Sequence, residues 1–181
     1  MNPGNDLLLL AGKIVTIILQ AVVGIGIAAL AIALPALAIY RGEIVDVLAD
    51  GRHIPLADLP LAPAIGLLLA LLLVLAALFM FFGKLRAIIA TVGEGDPFAP
   101  ANAQRLSRMA WLMLGVQVLT WPAALFAAEL ADWASQYEDF TLDLSGDGFD
   151  LTGILLVIIL FILARVFRHG AAMREDLEGT V

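Results

Sequence analysis

Four apolar runs dominate the pattern of the chain. Uncharged residues extend over Ile14–Tyr40, Leu59–Gly83, Met109–Ala128 and Leu151–Ala164. A helix rises about 1.5 Å per residue and the hydrocarbon layer of a bilayer is roughly 30 Å thick, so about 20 apolar residues span it. The first three runs meet this requirement. The fourth spans if Arg165 lies in its last turn and extends its guanidinium to the headgroups, or if Arg165 pairs inside the bundle.

These runs predict an all-α integral membrane protein, a four-transmembrane-helix bundle that forms a single domain over residues 1–181. The predicted spans cover about 14–40, 60–83, 109–128 and 151–167. Outer loops are expected at 41–59 and 129–150, and a cytoplasmic loop and tail at 84–108 and 168–181.

The two outer loops carry a weaker signal for a small extracytoplasmic cap. Asp50-Gly51 favours a two-residue turn and therefore a short β-hairpin in the first loop, with a helical turn over Gly42–Leu48 as the alternative. In the second loop Phe140, Leu142 and Leu144 alternate with polar residues, a pattern typical of a strand. We expect the two loops to pack together as a small sheet.

A glycine- and proline-rich segment separates the second and third helices. The second helix is expected to continue past Lys84 to about Val92 and to stop at Gly93-Glu94-Gly95-Asp96-Pro97. The next helix should begin near Pro100–Asn102. The segment between them is the best-defined short loop in the sequence.

The composition excludes an ordinary soluble domain. The 181 residues are 62% hydrophobic and only 15% charged, with a mean hydropathy of +0.99, whereas soluble domains are about 25% charged. The chain contains no cysteine. Disulfides, a cysteine nucleophile and cysteine-ligated metals are therefore excluded.

The basic residues predict the orientation. With four spans, both termini lie on one side, and eight of the ten lysines and arginines fall on that side: Lys13, Lys84, Arg86, Arg105, Arg108, Arg165, Arg168 and Arg174. Cytoplasmic flanks carry the positive excess in membrane proteins. Both termini are therefore expected in the cytoplasm.

Three segments carry a family resemblance. They are Gly95-Asp96-Pro97-Phe98 with Asn102, Arg105 and Leu106 after it, the run from Leu163 to Ala171, and the tail Arg174-Glu175-Asp176-Leu177 with Thr180-Val181. In their order and spacing the chain resembles a bacterial four-pass membrane family known as domain of unknown function 2975. Members usually carry an acidic residue where Arg165 stands here.

The resemblance implies a location in the bacterial cytoplasmic membrane and no established activity. Members are often encoded beside a Cro-type helix-turn-helix regulator. A membrane component of a regulatory pair is the function that this neighbourhood implies.

Two motifs suggest chemistry that the sequence does not otherwise support. Gly93-Glu94-Gly95-Asp96 matches the G-x-G-D string of intramembrane aspartyl proteases, which need two carboxylates that share a proton. No predicted span contains a second Asp or Glu. We expect Asp96 to cap the turn before Pro97 instead.

The second motif is the first half of a calcium loop, Asp143, Ser145 and Asp147 followed by Gly148. The position of the bidentate Glu falls on Ile154. An Asp/Gly turn is therefore the favoured interpretation and a calcium site the alternative. Apart from that candidate, no metal or cofactor site is predicted.

The sequence as a whole favours a non-enzymatic membrane module that binds or regulates a cytoplasmic partner, with a helix-turn-helix regulator as the candidate. Besides that partner we expect the lipid bilayer and no direct nucleic-acid binding, and homo-oligomers are compatible with the pattern. The alternative is a small transporter or channel subunit, which needs polar groups near the midplane. Only Gln20, Gln117 and Thr120 meet that need, and we expect Gln20 to bond a neighbouring helix.

Seven residues on the cytoplasmic face are the partner-binding candidates: Asp96, Phe98, Asn102, Arg105, Arg165, Phe167 and Arg168. We expect Phe98 to pack near Phe167, and Asp96 or Glu94 to offset Arg165 or Arg168. The alternative is that the arginines only reach the headgroups.

Overall fold

A computed structural model describes residues 3–39, 59–136 and 150–178, and these form four helices. They are α1 (Pro3–Ile39), α2 (Leu61–Gly93), α3 (Pro100–Ala134) and α4 (Leu151–Glu178). Each is long and apolar enough to cross a membrane. The prediction of an all-helical protein with four membrane-length helices is confirmed.

The helix ends next to the short loop agree with the sequence. Helix α2 ends at Gly93 and α3 begins at Pro100, which leaves residues 94–99 as the connection, called here the α2–α3 loop. Helix α4 continues through Arg165 to Glu178. That extension supplies the length that the uncharged run lacks.

The predicted extracytoplasmic cap is not supported. No strand occurs in residues 3–39, 59–136 and 150–178. The proposed hairpin around Asp50-Gly51 and the alternating segment at Phe140–Leu144 lie outside the described residues. So do Asp143, Ser145 and Asp147 of the calcium-loop-like motif.

The helices form two compact units. Unit 1 comprises Met1–Gly24, Ala76–Gln117 and Asp150–Val181. Its core is a cluster of apolar side chains from α2, α3 and α4: Ile88, Leu106, Met109, Ala110, Leu160 and Ala164. The small alanines let the helices approach one another closely, as is typical where the surroundings are lipid rather than water.

Unit 2 comprises Ile25–Leu75 and Val118–Phe149. Gly66 on α2 faces the ring of Phe126 on α3, and a Cβ at Gly66 would lie only 2.6 Å from that ring. Gly26 on α1 likewise faces Leu75. Close packing of the helices in this unit therefore depends on having glycine, which has no side chain, at positions 26 and 66.

Many large apolar side chains remain on the outside. On α1, Leu8, Ile25 and Ile32 are at least 70% exposed, and none of its most apolar stretch is buried. In water such a surface would drive aggregation, whereas in a bilayer it contacts acyl chains. The exposed faces agree with the membrane assignment made from helix length.

Candidate functional site

The α2–α3 loop begins with a closed C-terminal cap on α2. Gly95 has a φ of 85°, in the left-handed region that favours glycine. Its N–H donates to the carbonyl of Val92 at 3.1 Å, and the N–H of Asp96 donates to the carbonyl of Thr91 at 3.0 Å. This pair of bonds is the Schellman motif, and it fixes the direction in which the chain leaves the helix.

A buried amide fixes the rest of the loop. Asn102 is fully buried on the first turn of α3. Its Nδ2 donates to the Oγ1 of Thr91 at 2.8 Å and to the carbonyl of Pro97 at 3.0 Å. Thr91 belongs to α2 and Pro97 to the loop, so one side chain joins three consecutive segments.

Arg105 completes this network. Its Nη1 donates to the Oδ1 of Asn102 at 2.8 Å and to the carbonyl of Ala87 on α2 at 3.1 Å. All hydrogen-bonding groups of the Asn102 amide thus have partners, which is what burial of a polar side chain requires. Asn102 and Arg105 therefore organise the loop from beneath, and neither amide nor guanidinium is a free binding group.

The loop also contacts α4 through an aromatic ring. The ring of Phe98 lies 5.5 Å from that of Phe167, centroid to centroid, with a tilt of 43°. It also covers Gly170, where a Cβ would lie only 2.7 Å from the ring. The predicted packing of Phe98 near Phe167 is confirmed, and it requires that residue 170 have no side chain.

An ion pair makes a second contact with α4. The Oδ1 of Asp96 lies 2.5 Å from the Nη1 of Arg174, with both side chains about half exposed. The prediction that Asp96 or Glu94 offsets Arg165 or Arg168 is therefore wrong in its partner. The observed partner, Arg174, lies about two and a half helical turns beyond Arg165. The carboxylate of Asp96 binds this guanidinium, and the turn itself is held by backbone bonds.

Two grooves flank α4 where the loop meets it, and together with the loop they form what we call the loop–tail surface. The apolar groove encloses about 970 Å³ and is lined by Phe98, Ile162, Val166 and Met173, together with Arg165, Arg168 and His169. The polar groove encloses about 300 Å³ and includes Gln104, Arg168 and Glu175 in its lining. Arg168 lies between the two.

Arg165 and Arg168 are both exposed. Neither forms an ion pair within the described part of the chain, where the Asp96–Arg174 pair occurs. Each guanidinium therefore offers five N–H donors in a planar arrangement suited to carboxylate or phosphate oxygens. These are the loop–tail side chains best placed to meet an anionic ligand.

The polar residues expected for a transport path have structural contacts. The Nε2 of Gln20 lies 3.4 Å from the carbonyl of Phe79 on α2, which confirms its predicted bond to a neighbouring helix. The Nε2 of Gln117 donates to Asp150 at 3.0 Å.

Asp150 caps α4, since its Oδ1 accepts the N–H of Gly153 at 3.0 Å. The Gln117 amide and the N–H groups of Gly153 and Thr152 lower the pKa of Asp150 below its ordinary value. The cap therefore stays ionised at neutral pH, and its contribution to stability is lost as the pH falls through the lowered pKa.

A comparison with known protein families identifies the family of the chain. A family model described as protein of unknown function (DUF2975) matches residues 37–181. The chain belongs to this family. Neither the curated proteins nor the solved structures gave a match. The family is thus shown, and its description carries no activity to transfer.

Three residues that make contacts in this site were not predicted from the sequence to do so. Thr91 accepts a hydrogen bond from the Asn102 amide, and Arg174 forms the ion pair with Asp96. Gly170 is the residue on which the ring of Phe98 packs. A weak signal existed for Gly170, since a glycine inside a helix often marks a close approach. Nothing in the local sequence distinguishes Arg174 from Arg165 or Arg168.

The described part of the site contains groups suited to binding. Within the described residues, no three His, Cys, Asp or Glu side chains are grouped so that they could hold a metal ion. The Asp96 carboxylate is engaged by a guanidinium rather than by a second carboxylate. The site contains a loop held by directed contacts, two grooves, and two arginines that form no ion pair with another described residue.

Proposed function

We propose that this DUF2975 protein is a non-enzymatic membrane module whose loop–tail surface binds a soluble partner protein at the cytoplasmic face of the bacterial inner membrane. The bundle anchors that surface to the bilayer. Binding there holds the partner at the membrane or releases it, and so regulates it.

The observation that carries this proposal is the way the α2–α3 loop is fixed. A six-residue polar connection is held by a Schellman cap, by the buried Asn102 and by two contacts to α4. A Schellman cap is common at helix ends, but the buried Asn102 and the two contacts to α4 fix the rest of the loop as well. A pre-ordered surface loses less entropy on binding, which is the usual reason to fix one.

The polar groove is the proposed point of contact with the partner. It presents Arg168 and Glu175 together with the amide of Gln104, so both charges and a neutral donor and acceptor are available. Such mixed surfaces are typical of the polar rim of non-obligate protein interfaces. The proposed partner is a helix-turn-helix regulator, which follows from the gene neighbourhood that the family resemblance implies.

A direct binding measurement tests the proposal. Detergent-solubilised protein is immobilised, and the product of the adjacent regulator gene is passed over it. We expect stoichiometric binding, weakened about tenfold by Glu175→Lys, which places a like charge in the groove. Glu94→Lys makes the same change of charge in the exposed part of the loop, outside the polar groove, and should weaken binding much less than Glu175→Lys does.

The two variants distinguish binding at a defined site from general electrostatic attraction. Equal weakening by Glu94→Lys and Glu175→Lys would indicate general electrostatic attraction rather than a defined site. Absence of binding by the parent protein would contradict the proposed partner.

A further inference from the structure

The apolar groove has an apolar stripe beside two positive charges, and these complement the acyl chain and the anionic headgroup of a membrane phospholipid. The side chains of Ile162, Val166 and Met173 are each more than half exposed along one stripe of α4. Arg165 and Arg168 lie on the adjacent stripe, three residues apart. We propose that this groove is a binding site for one anionic phospholipid of the surrounding bilayer, a role that goes beyond the binding of a soluble partner.

The depth of the groove matches that of a headgroup. The uncharged run of α4 ends at Ala164, and at about 1.5 Å per residue Arg165 and Arg168 follow it by about 1.5 Å and about 6 Å along the axis. The headgroup layer on each side of the hydrocarbon is on the order of 5–7 Å thick. Both guanidinium groups thus emerge where lipid phosphates lie.

The charge of the groove selects an anionic headgroup. Its described lining contains two arginines and no acidic residue, and neither arginine is in an ion pair with another described residue. A guanidinium binds phosphate oxygens through two parallel N–H bonds. His169 adds a further ring N–H donor in either protonation state.

The apolar wall distinguishes a lipid from a free anion. Ile162 lies one helical turn nearer the hydrocarbon than Val166, so an acyl chain can follow both side chains from the phosphate inwards. Phe98 forms the opposite wall, and it reaches this place because Gly170 leaves room for its ring. Inorganic phosphate would use only the arginines and would leave this wall without an occupant.

Native mass spectrometry of the full-length protein tests the proposal. The protein is released from micelles that hold equal amounts of phosphatidylglycerol and phosphatidylcholine with the same acyl chains. We expect one phosphatidylglycerol to be retained in preference. Because one basic residue near anionic headgroups contributes about fivefold to affinity, Arg165→Gln with Arg168→Gln should reduce retention roughly 25-fold.

A matched control is Lys84→Gln with Arg86→Gln, which removes two positive charges of α2 that do not line the groove and should leave retention unchanged. Equal retention of both lipids by the parent protein would overturn the proposal without any variant. So would an equal loss in the control pair, or complete displacement of phosphatidylglycerol by millimolar inorganic phosphate. Arg165 lines the apolar groove and not the polar one. Loss of lipid retention in Arg165→Gln alone, with intact binding of a soluble partner, would therefore separate this site from the polar groove.

Discussion

Helix α1 and the α2–α3 loop are attached to the rest of unit 1 by opposite means. Helix α1 approaches α2 at Gly12, where an added Cβ would lie 3.6 Å from Ile89, and through the single long bond from Gln20. The loop is held by short directed bonds around a fully buried side chain. Apolar helix faces determine that a segment lies in a bilayer, and directed polar contacts determine where the loop is placed.

The largest expected effect is the loss of the Asn102 amide. Asn102→Ala removes the bond between the amide and the hydroxyl of Thr91, and it leaves the carbonyl of Pro97 and part of the Arg105 guanidinium without their partner, which should lower the free energy of unfolding by about 3 kcal/mol. Unfolding in mixed micelles by titration with a denaturing detergent measures it. The control is Gln104→Ala, at an exposed position two residues away. Equal effects of the two variants would show that the network does not hold the loop.

The second-largest effect is expected for Gly95 in the C-terminal cap of α2. Gly95→Ala forces an L-residue into the left-handed region and should cost about 1–2 kcal/mol. Gly93→Ala provides the comparison, because Gly93 is helical and nothing lies within 4 Å of an added Cβ. It should stabilise the protein by about 0.5–1 kcal/mol. Loss of stability in both would place the sensitivity in the helix end as a whole rather than in the turn.

Because the ring of Phe98 packs on Gly170, the effect of Gly170→Ala on stability should depend on whether Phe98 is present. With Phe98→Ala present, Gly170→Ala should gain about 0.5–1 kcal/mol from helix propensity alone. With Phe98 intact, the new methyl displaces the ring from Phe167 and the gain should disappear or reverse, a coupling of about 1 kcal/mol. A thermal-unfolding double-mutant cycle measures this difference. The same gain in both backgrounds would mean that the ring does not rest on Gly170.

The smallest effect belongs to the ion pair of Asp96 and Arg174. Both side chains are about half exposed, so the pair should contribute about 0.5 kcal/mol and less at high salt. We expect Asp96→Arg and Arg174→Asp each to lower the melting temperature slightly, and the double swap to restore it. If the double variant is no better than the sum of the single variants, the pair adds nothing to the attachment of the loop.

The sequence predicted the parts of this structure that depend on local pattern. Run length predicted four helices, and glycine with proline predicted that α2 ends at Gly93 and α3 begins at Pro100. The ring contact of Phe98 was predicted because the loop and the exit of α4 were expected on the same face of the membrane. The sequence pattern was sufficient to predict each of these features, because each one involves at most two segments of the chain.

Contacts that depend on helix rotation were not predicted. Three arginines follow the fourth apolar run within ten residues, and which of them meets Asp96 depends on the azimuth of α4, which periodicity does not provide. Thr91 escaped notice for the same reason, because an isolated threonine in an apolar helix ordinarily bonds its own backbone, and Thr91 does so with Ile88. The bond to Asn102 requires the position of a second helix.

The central claim is that the α2–α3 loop is a fixed surface rather than a flexible connection. Hydrogen exchange of the protein in lipid nanodiscs measures this directly at the amides of Gly95 and Asp96, which donate to Val92 and Thr91. We predict strong protection, reduced about tenfold or more in Asn102→Ala, since 1.4 kcal/mol of opening free energy corresponds to a factor of ten. Exchange of both amides at the rate of an unstructured chain in the parent protein would contradict the account.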